Sequence, residues 1–206
     1  IETLVHAGLQ DDTLIVFTAD HGLALGSHGL LGKQSLYEHS MRSPCVIAGP
    51  GVPVGESRDQ LAYLFDLTAT CLESAGVDAG AEVHGRSLWP VLRGEGKGRD
   101  ELLLLYAKTQ RALRVGDHKL IRLPQIDRTM LFNLKTDPDE LHDLSKSAAL
   151  LPLFEQLCLR MRSYQTECAD GLAWTADKQL PVEMDLTGKR WPADRWQPQW
   201  IRTKYW

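Results

Sequence analysis

Leu14-Ile15-Val16-Phe17-Thr18-Ala19-Asp20-His21-Gly22 is the stretch that decides the fold. Its apolar run has no polar alternation, the pattern of a strand covered on both faces, as in parallel sheets. The run ends in a carboxylate, an imidazole and a glycine. In open α/β sheets ligands bind just beyond the carboxyl ends of strands, so Asp20 and His21 stand where chemistry is done. A little further on, Gly32-Lys33 returns an ammonium toward the same edge. A metal-type pair with a fixed ammonium suits the hydrolysis of a sulfate or phosphate ester.

Outward from this stretch, residues 1–9 (Ile1, Leu4, Val5, Leu9) read as the end of a helix. Residues 22–40 form a glycine-rich loop with a short helix at 34–40. Pro44–Ala48 is a second buried strand, stopped by Gly49-Pro50-Gly51. Leu61–Phe65 reads as a third strand. Asp66 then stands as N-cap of a helix over 67–75, closed by Gly76. A glycine-rich connector over 77–100 holds a helical turn near Leu88–Leu92. From 101 the pattern turns antiparallel. Leu102–Ala107, Arg111–Val115, Lys119–Leu123 and Leu131–Leu134 are short strands, with Gly116-Asp117 as a hairpin turn. Leu150, Phe154, Leu157, Met161 and Tyr164 mark one amphipathic helix, opened by Pro152 and closed by Gly171.

Composition narrows the function classes. The 206 residues are 43% hydrophobic and 24% charged, an ordinary globular balance, and the formal charge of −4 gives no footprint for nucleic acid. No apolar run approaches the roughly 18 residues of a membrane span. The four cysteines are too widely spaced for a disulfide framework or a zinc cluster. Cys45 and Cys71 read as core thiols, while Cys158 and Cys168 flank a helix end. The compartment is left open.

Several short words follow in a fixed order: Thr18-Ala19-Asp20-His21-Gly22, Leu25-Gly26-Ser27-His28-Gly29, Gly32-Lys33, Tyr37-Glu38, Met41-Arg42-Ser43-Pro44 and Gly49-Pro50-Gly51. Asp66-Leu67-Thr68-Ala69-Thr70, Gly85-Arg86-Ser87-Leu88, Leu131-Phe132-Asn133-Leu134 and Asp137-Pro138 continue them. Together they resemble the second half of a type I sulfatase, of the alkaline-phosphatase-like superfamily. The match runs to about residue 145 and weakens over the last forty or so. The resemblance implies an α/β fold. Residues 1–98 would be the C-terminal part of a mixed or parallel catalytic sheet, and 99–206 a smaller antiparallel α+β subdomain. The family's paired-aspartate strand and its Cys-x-Pro-x-Arg or Ser-x-Pro-x-Arg segment, the source of formylglycine, do not occur here. The chain therefore reads as a C-terminal fragment, inactive alone, with the nucleophile upstream of residue 1.

The resemblance also implies roles. Asp20 would be a metal ligand, for calcium, an ion that a carboxylate oxygen suits. Alone, an aspartate at a strand end more often caps the next turn. His21 would be a second ligand, although imidazole prefers softer metals; a hydrogen bond to sulfate or nucleophile is the other reading. Lys33 would hold the sulfate oxygens, where an isolated loop lysine would be merely solvated. His28 is either a substrate-rim residue or a loop stabiliser, and Glu38 and Arg42 read as structural pairs fixing the loop, ahead of substrate contact. The implied partner is a sulfated glycan or small molecule; carbohydrate, choline and aryl sulfates are not separated, and oligomeric state is not fixed. The family works in periplasm, extracellular space or lysosome, and the cytoplasm stays open. A phosphonate monoester hydrolase or phosphodiesterase of the same superfamily, and a non-catalytic paralogue, are the alternatives. In the tail, Trp191, Trp196, Trp200, Tyr205 and Trp206 interleave with Arg190, Arg195 and Arg202. That pattern fits a packed belt or a sugar-stacking surface.

Overall fold

In the computed structural model, which describes residues 1–183, two separate sheets carry the chain. The aromatic tail lies outside the described residues. Strand β1 (Ile15–Thr18) pairs antiparallel with β2 (Cys45–Ala48), in the register Ile15 to Ala48 and Thr18 to Cys45. Strands β3 (Glu101–Tyr106), β4 (Gln110–Val115), β5 (His118–Leu123) and β6 (Arg128–Asn133) form an antiparallel meander in sequence order.

The meander is a plate packed on both faces. Leu103, Leu113, Leu120 and Leu131 are successive cross-strand neighbours, so strand alternation puts them on one face. There they meet Leu157 and Met161 of helix α5 (Leu151–Glu167). The other face presents Ala112, Ile121, Met130 and Phe132, and receives Leu36, Tyr37 and Met41 from the loop that follows β1. Each fully buried leucine or isoleucine side chain contributes about 1.5–3 kcal/mol. These two cores seat the site loop on one side and α5 on the other.

Four sequence expectations are corrected here. The β1 run is not a doubly covered parallel strand: its neighbour β2 is antiparallel, and Phe17 and Val46, opposite each other, are 64% and 59% exposed. Cys45 and Cys71 are exposed rather than core thiols: Cys45, on the ribbon face opposite to Phe17 and Val46, borders an open cleft beside Thr18 and Pro44, and Cys71 lies on the uncovered side of helix α3 (Asp66–Ser74). Leu61–Phe65 makes one bridge, Leu61 to Arg99, and then turns, because the Asp66 carboxylate accepts the Tyr63 N–H at 2.8 Å. Asp66 itself is no N-cap. It is the first residue of α3, and its carboxylate, 1% exposed, also accepts from Arg86 N–H and the Arg99 guanidinium.

Helix ends follow ordinary chemistry otherwise. Gly76 takes φ +67° after α3, and the Val77 N–H closes back on Leu72 C=O at 2.9 Å, as read from sequence. At α5 the left-handed position is Ala169 (φ +53°), two residues before Gly171, with Asp170 N–H donating to Gln165 C=O at 2.8 Å. Ala accepts that conformation because Asp170 is also held by Arg111, at 2.6 and 2.8 Å. Short helices α1 (Glu2–His6), α2 (Glu38–Met41) and α4 (Trp89–Leu92) complete the elements.

Candidate active site

Beyond β1 the chain must turn across the start of β2's connection, and Gly22 permits it. A Cβ there would sit 2.1 Å from the His39 carbonyl oxygen, while the Gly22 N–H donates to Ser40 C=O at 2.9 Å. This backbone contact docks the end of β1 against α2 and fixes where Asp20 and His21 stand.

The His21 ring is held from one side. Its Nδ1 lies 2.9 Å from the Gly22 carbonyl, which can only accept, so Nδ1 carries the proton and Nε2 presents a lone pair. That lone pair faces Asp20 Oδ2 at 3.1 Å and is contacted by the Lys33 ammonium. Two electron-rich atoms side by side are stable only with positive charge between or beside them, and Lys33 provides it here. The structure thus brings Asp20, His21 and Lys33 together. His21 is 27% exposed at its side chain and Asp20 77%, so the group opens outward.

His28 stands apart from that group. Its Nε2–H donates to the Glu140 carbonyl at 3.0 Å, and its ring stacks on Tyr37 at 3.9 Å between centroids. Glu38 is the structural anchor expected of it: it accepts from Lys119 Nζ at 2.8 Å and from Arg114 at 3.2 Å. Arg42 is not its partner. It is exposed and has no acid within bonding distance among the described residues, because Arg114 and Lys119 already satisfy Glu38. A cleft of about 1170 Å³ opens beside Asp20, with Arg42, Arg58 and Tyr63 in its walls.

Sequence reasoning missed Lys119 and Glu140. Lys119 is wholly buried on β5, its Nζ 2.8 Å from Glu38 and 2.9 Å from Glu140. Burial pushes the Glu140 carboxyl up, against the pull of Lys119. Nothing in an alternating strand marks Lys119 as inward. Burial also holds the neighbouring His39 imidazole below its usual range, with His28 and Lys119 adding to it.

The donor set fits a cation in part. Asp20 and His21 Nε2, the latter contacted by Lys33, offer two donor atoms side by side, and no group of three His, Cys, Asp or Glu that could hold a metal occurs among the described residues. A calcium ion takes six to eight oxygen ligands, so these two could complete a site, not form one alone. No helix among the described residues is long and apolar enough to cross a membrane.

The family model described as N-sulphoglucosamine sulphohydrolase, C-terminal, matches residues 26–167. The N-acetylglucosamine-6-O-sulfatase of Bacteroides thetaiotaomicron is 28% identical over 84% of the chain and 35% of its own length. The choline-sulfatase of Rhizobium meliloti is 36% identical over 71% of the chain and 30% of its own length. A solved structure of a protein in complex with its substrate, D-glucosamine-2-N,6-O-disulfate, superposes with a TM-score of 0.76 at 29% identity, covering 82% of this chain and 37% of that one. The chain therefore spans about a third of the length of the curated relatives it matches.

Proposed function

This chain belongs to the sulfatase family, whose model covers most of it, and we propose that it supplies part of the metal and sulfate site of an enzyme hydrolysing a sulfate monoester. One observation carries the reading: the Lys33 ammonium meets His21 Nε2 at the spot where that atom faces the Asp20 carboxylate. The family works with a metal ion and a formylglycine; calcium as the metal, held in part by Asp20 and His21, is our reading. When bound, that metal and the formylglycine supply charge neutralisation and the nucleophile. Residues 1–98 would then complete the catalytic domain and 99–206 form a supporting subdomain.

The chain's own residues have defined tasks. Lys33 places a positive charge where a sulfate group approaches, and a preorganised charge stabilises the growing negative charge on the ester oxygens. The Gly22 carbonyl holds the His21 ring through Nδ1 and so turns Nε2 toward Asp20 and Lys33. Asp20, mostly exposed, is accessible to ligate a cation. Arg42, uncommitted among the described residues, borders the cleft into which the alcohol part of the ester would extend. A sulfated carbohydrate is the substrate class we favour, on the strength of the similarity to an N-acetylglucosamine-6-O-sulfatase and to a structure in complex with D-glucosamine-2-N,6-O-disulfate.

A substrate panel tests this on the protein as its gene encodes it. Glucosamine 6-sulfate, choline sulfate and a phosphonate monoester are offered to wild type and Lys33→Ala, and inhibition by inorganic sulfate is measured for both. The expected result is glucosamine sulfate first, a loss of about 10²–10³ in turnover for Lys33→Ala, and weakened sulfate inhibition. Faster phosphonate hydrolysis would transfer the site to the sister chemistry. An unchanged sulfate affinity in Lys33→Ala would remove Lys33 from it.

A further inference from the structure

Glu140 takes no part in the ester chemistry above, yet it ties down the loop that performs it. It projects from a turn built by Asp137, whose carboxylate accepts the Leu141 and His142 N–H groups at 3.1 and 2.8 Å. Its backbone is held at φ +55°, a conformation costly for a residue with a Cβ. Such a conformation persists only where the surroundings over-determine it, and three contacts do so. The carboxylate accepts the Glu38 N–H at the first turn of α2, 2.5 Å away. Its other oxygen lies 2.9 Å from the buried Lys119 ammonium. Its peptide carbonyl accepts from His28 Nε2 at 3.0 Å. Residues 28 and 38 bracket Lys33. One residue 102 positions beyond Glu38 therefore grips the Lys33 loop on both sides, while Gln110 adds a tie at Gln34 and Leu36.

We propose that Glu140 is a positioning residue, which holds the His28 turn and the first turn of α2 in register and so sets where Lys33 presents its ammonium. The activity arm of its test rests on the sulfatase reading; the structural arm does not. Glu140→Ala removes the grip on α2 but leaves Lys119 paired with Glu38, so the fold has a route to survive. Glu140→Gln keeps an acceptor for the Glu38 N–H. Misplacement of a binding group by about 1 Å can cost a hundredfold.

In the protein as its gene encodes it, Glu140→Ala is expected to weaken inhibition by inorganic sulfate about tenfold or more and to raise KM more than it lowers kcat. Glu140→Gln should stay within a few-fold of wild type. Amide exchange across residues 27–38 should quicken in Glu140→Ala and not in Glu140→Gln. Asp170→Ala, which breaks the buried ion pair on the opposite face of the sheet, serves as control: lower Tm, unchanged sulfate inhibition. Glu140→Ala with wild-type sulfate inhibition and wild-type exchange at 27–38 overturns the proposal. So does Asp170→Ala moving both to the same degree. A wild type that hydrolyses no sulfate ester takes down the sulfatase reading, and the exchange comparison then decides the positioning role alone.

Discussion

The two faces of the β3–β6 sheet are made by the same strands in the same register, yet they hold their neighbours by different means. Toward α5 the contact is a ladder of leucines, with the Arg111–Asp170 pair at one end. Toward the site loop a smaller apolar patch surrounds a lysine that water does not reach, flanked by two glutamates. Apolar contact is non-directional and tolerates small shifts. A buried ammonium needs its partners in one arrangement, because an unpaired one is costly. The face that carries the site is thus the face that specifies position.

Removing the charge is the strongest way to break this contrast. Lys119→Ala leaves the buried Glu140 carboxylate without its cation and Glu38 with Arg114 alone, and should cost about 3–5 kcal/mol in urea unfolding. Leu120→Ala, its neighbour on the helix face, should cost about 2–5 kcal/mol through a cavity. Only Lys119→Ala should also open α2 to amide exchange ahead of the rest; equal local opening in both would erase the distinction.

Acid should act on the two faces with opposite sign. Asp170, 11% exposed at its side chain, has its carboxyl lowered from 3.8 to about 2, first of all by Arg111. A depressed folded value gives stability that is present above the unfolded value and lost as pH falls through about 2, here about 2 kcal/mol. Glu140 is raised by burial, so its contribution is greatest below its unfolded value and declines as pH rises through the folded one. Unfolding free energies from pH 2 to 7 should flatten below pH 4 in Asp170→Asn and at the upper end in Glu140→Gln. Matching profiles in the two variants would refute the assignment.

The smallest effect sharpens a different boundary. Phe17 on β1 is as apolar as any core residue but 64% exposed, so Phe17→Ala in the 206-residue chain should change stability by no more than about 0.5 kcal/mol. A core-sized loss would mean that the outer face of the β1–β2 ribbon is covered.

What could be read in the sequence follows from which forces act locally. The four short strands after residue 101, the 3.6-residue recurrence in α5 and the Gly76 cap are short-range patterns, and the structure has them. The proximity of Asp20, His21 and Lys33 was legible too, because a strand end and a glycine-flanked lysine point to one edge. Asp66 was misread because its side chain answers to Arg86 and Arg99, distant in sequence. Lys119 was invisible for the same reason: a lysine within a strand looks outward until Glu38 and Glu140 are placed beside it. Arg42 erred in the other sense, losing an expected partner to residues the motif does not contain.

The Glu38 joint also has a consequence in time. Its partners lie 81 residues away at Lys119 and 102 residues away at Glu140. Contacts between such distant points incur a large loop-closure entropy and form slowly. During synthesis, Lys33 leaves the ribosome long before the turn that braces it. Lys33 is made before the residues that secure it, so a chain cut short after β5 would carry Asp20, His21 and Lys33 and still lack the Glu140 contact that holds the Lys33 loop.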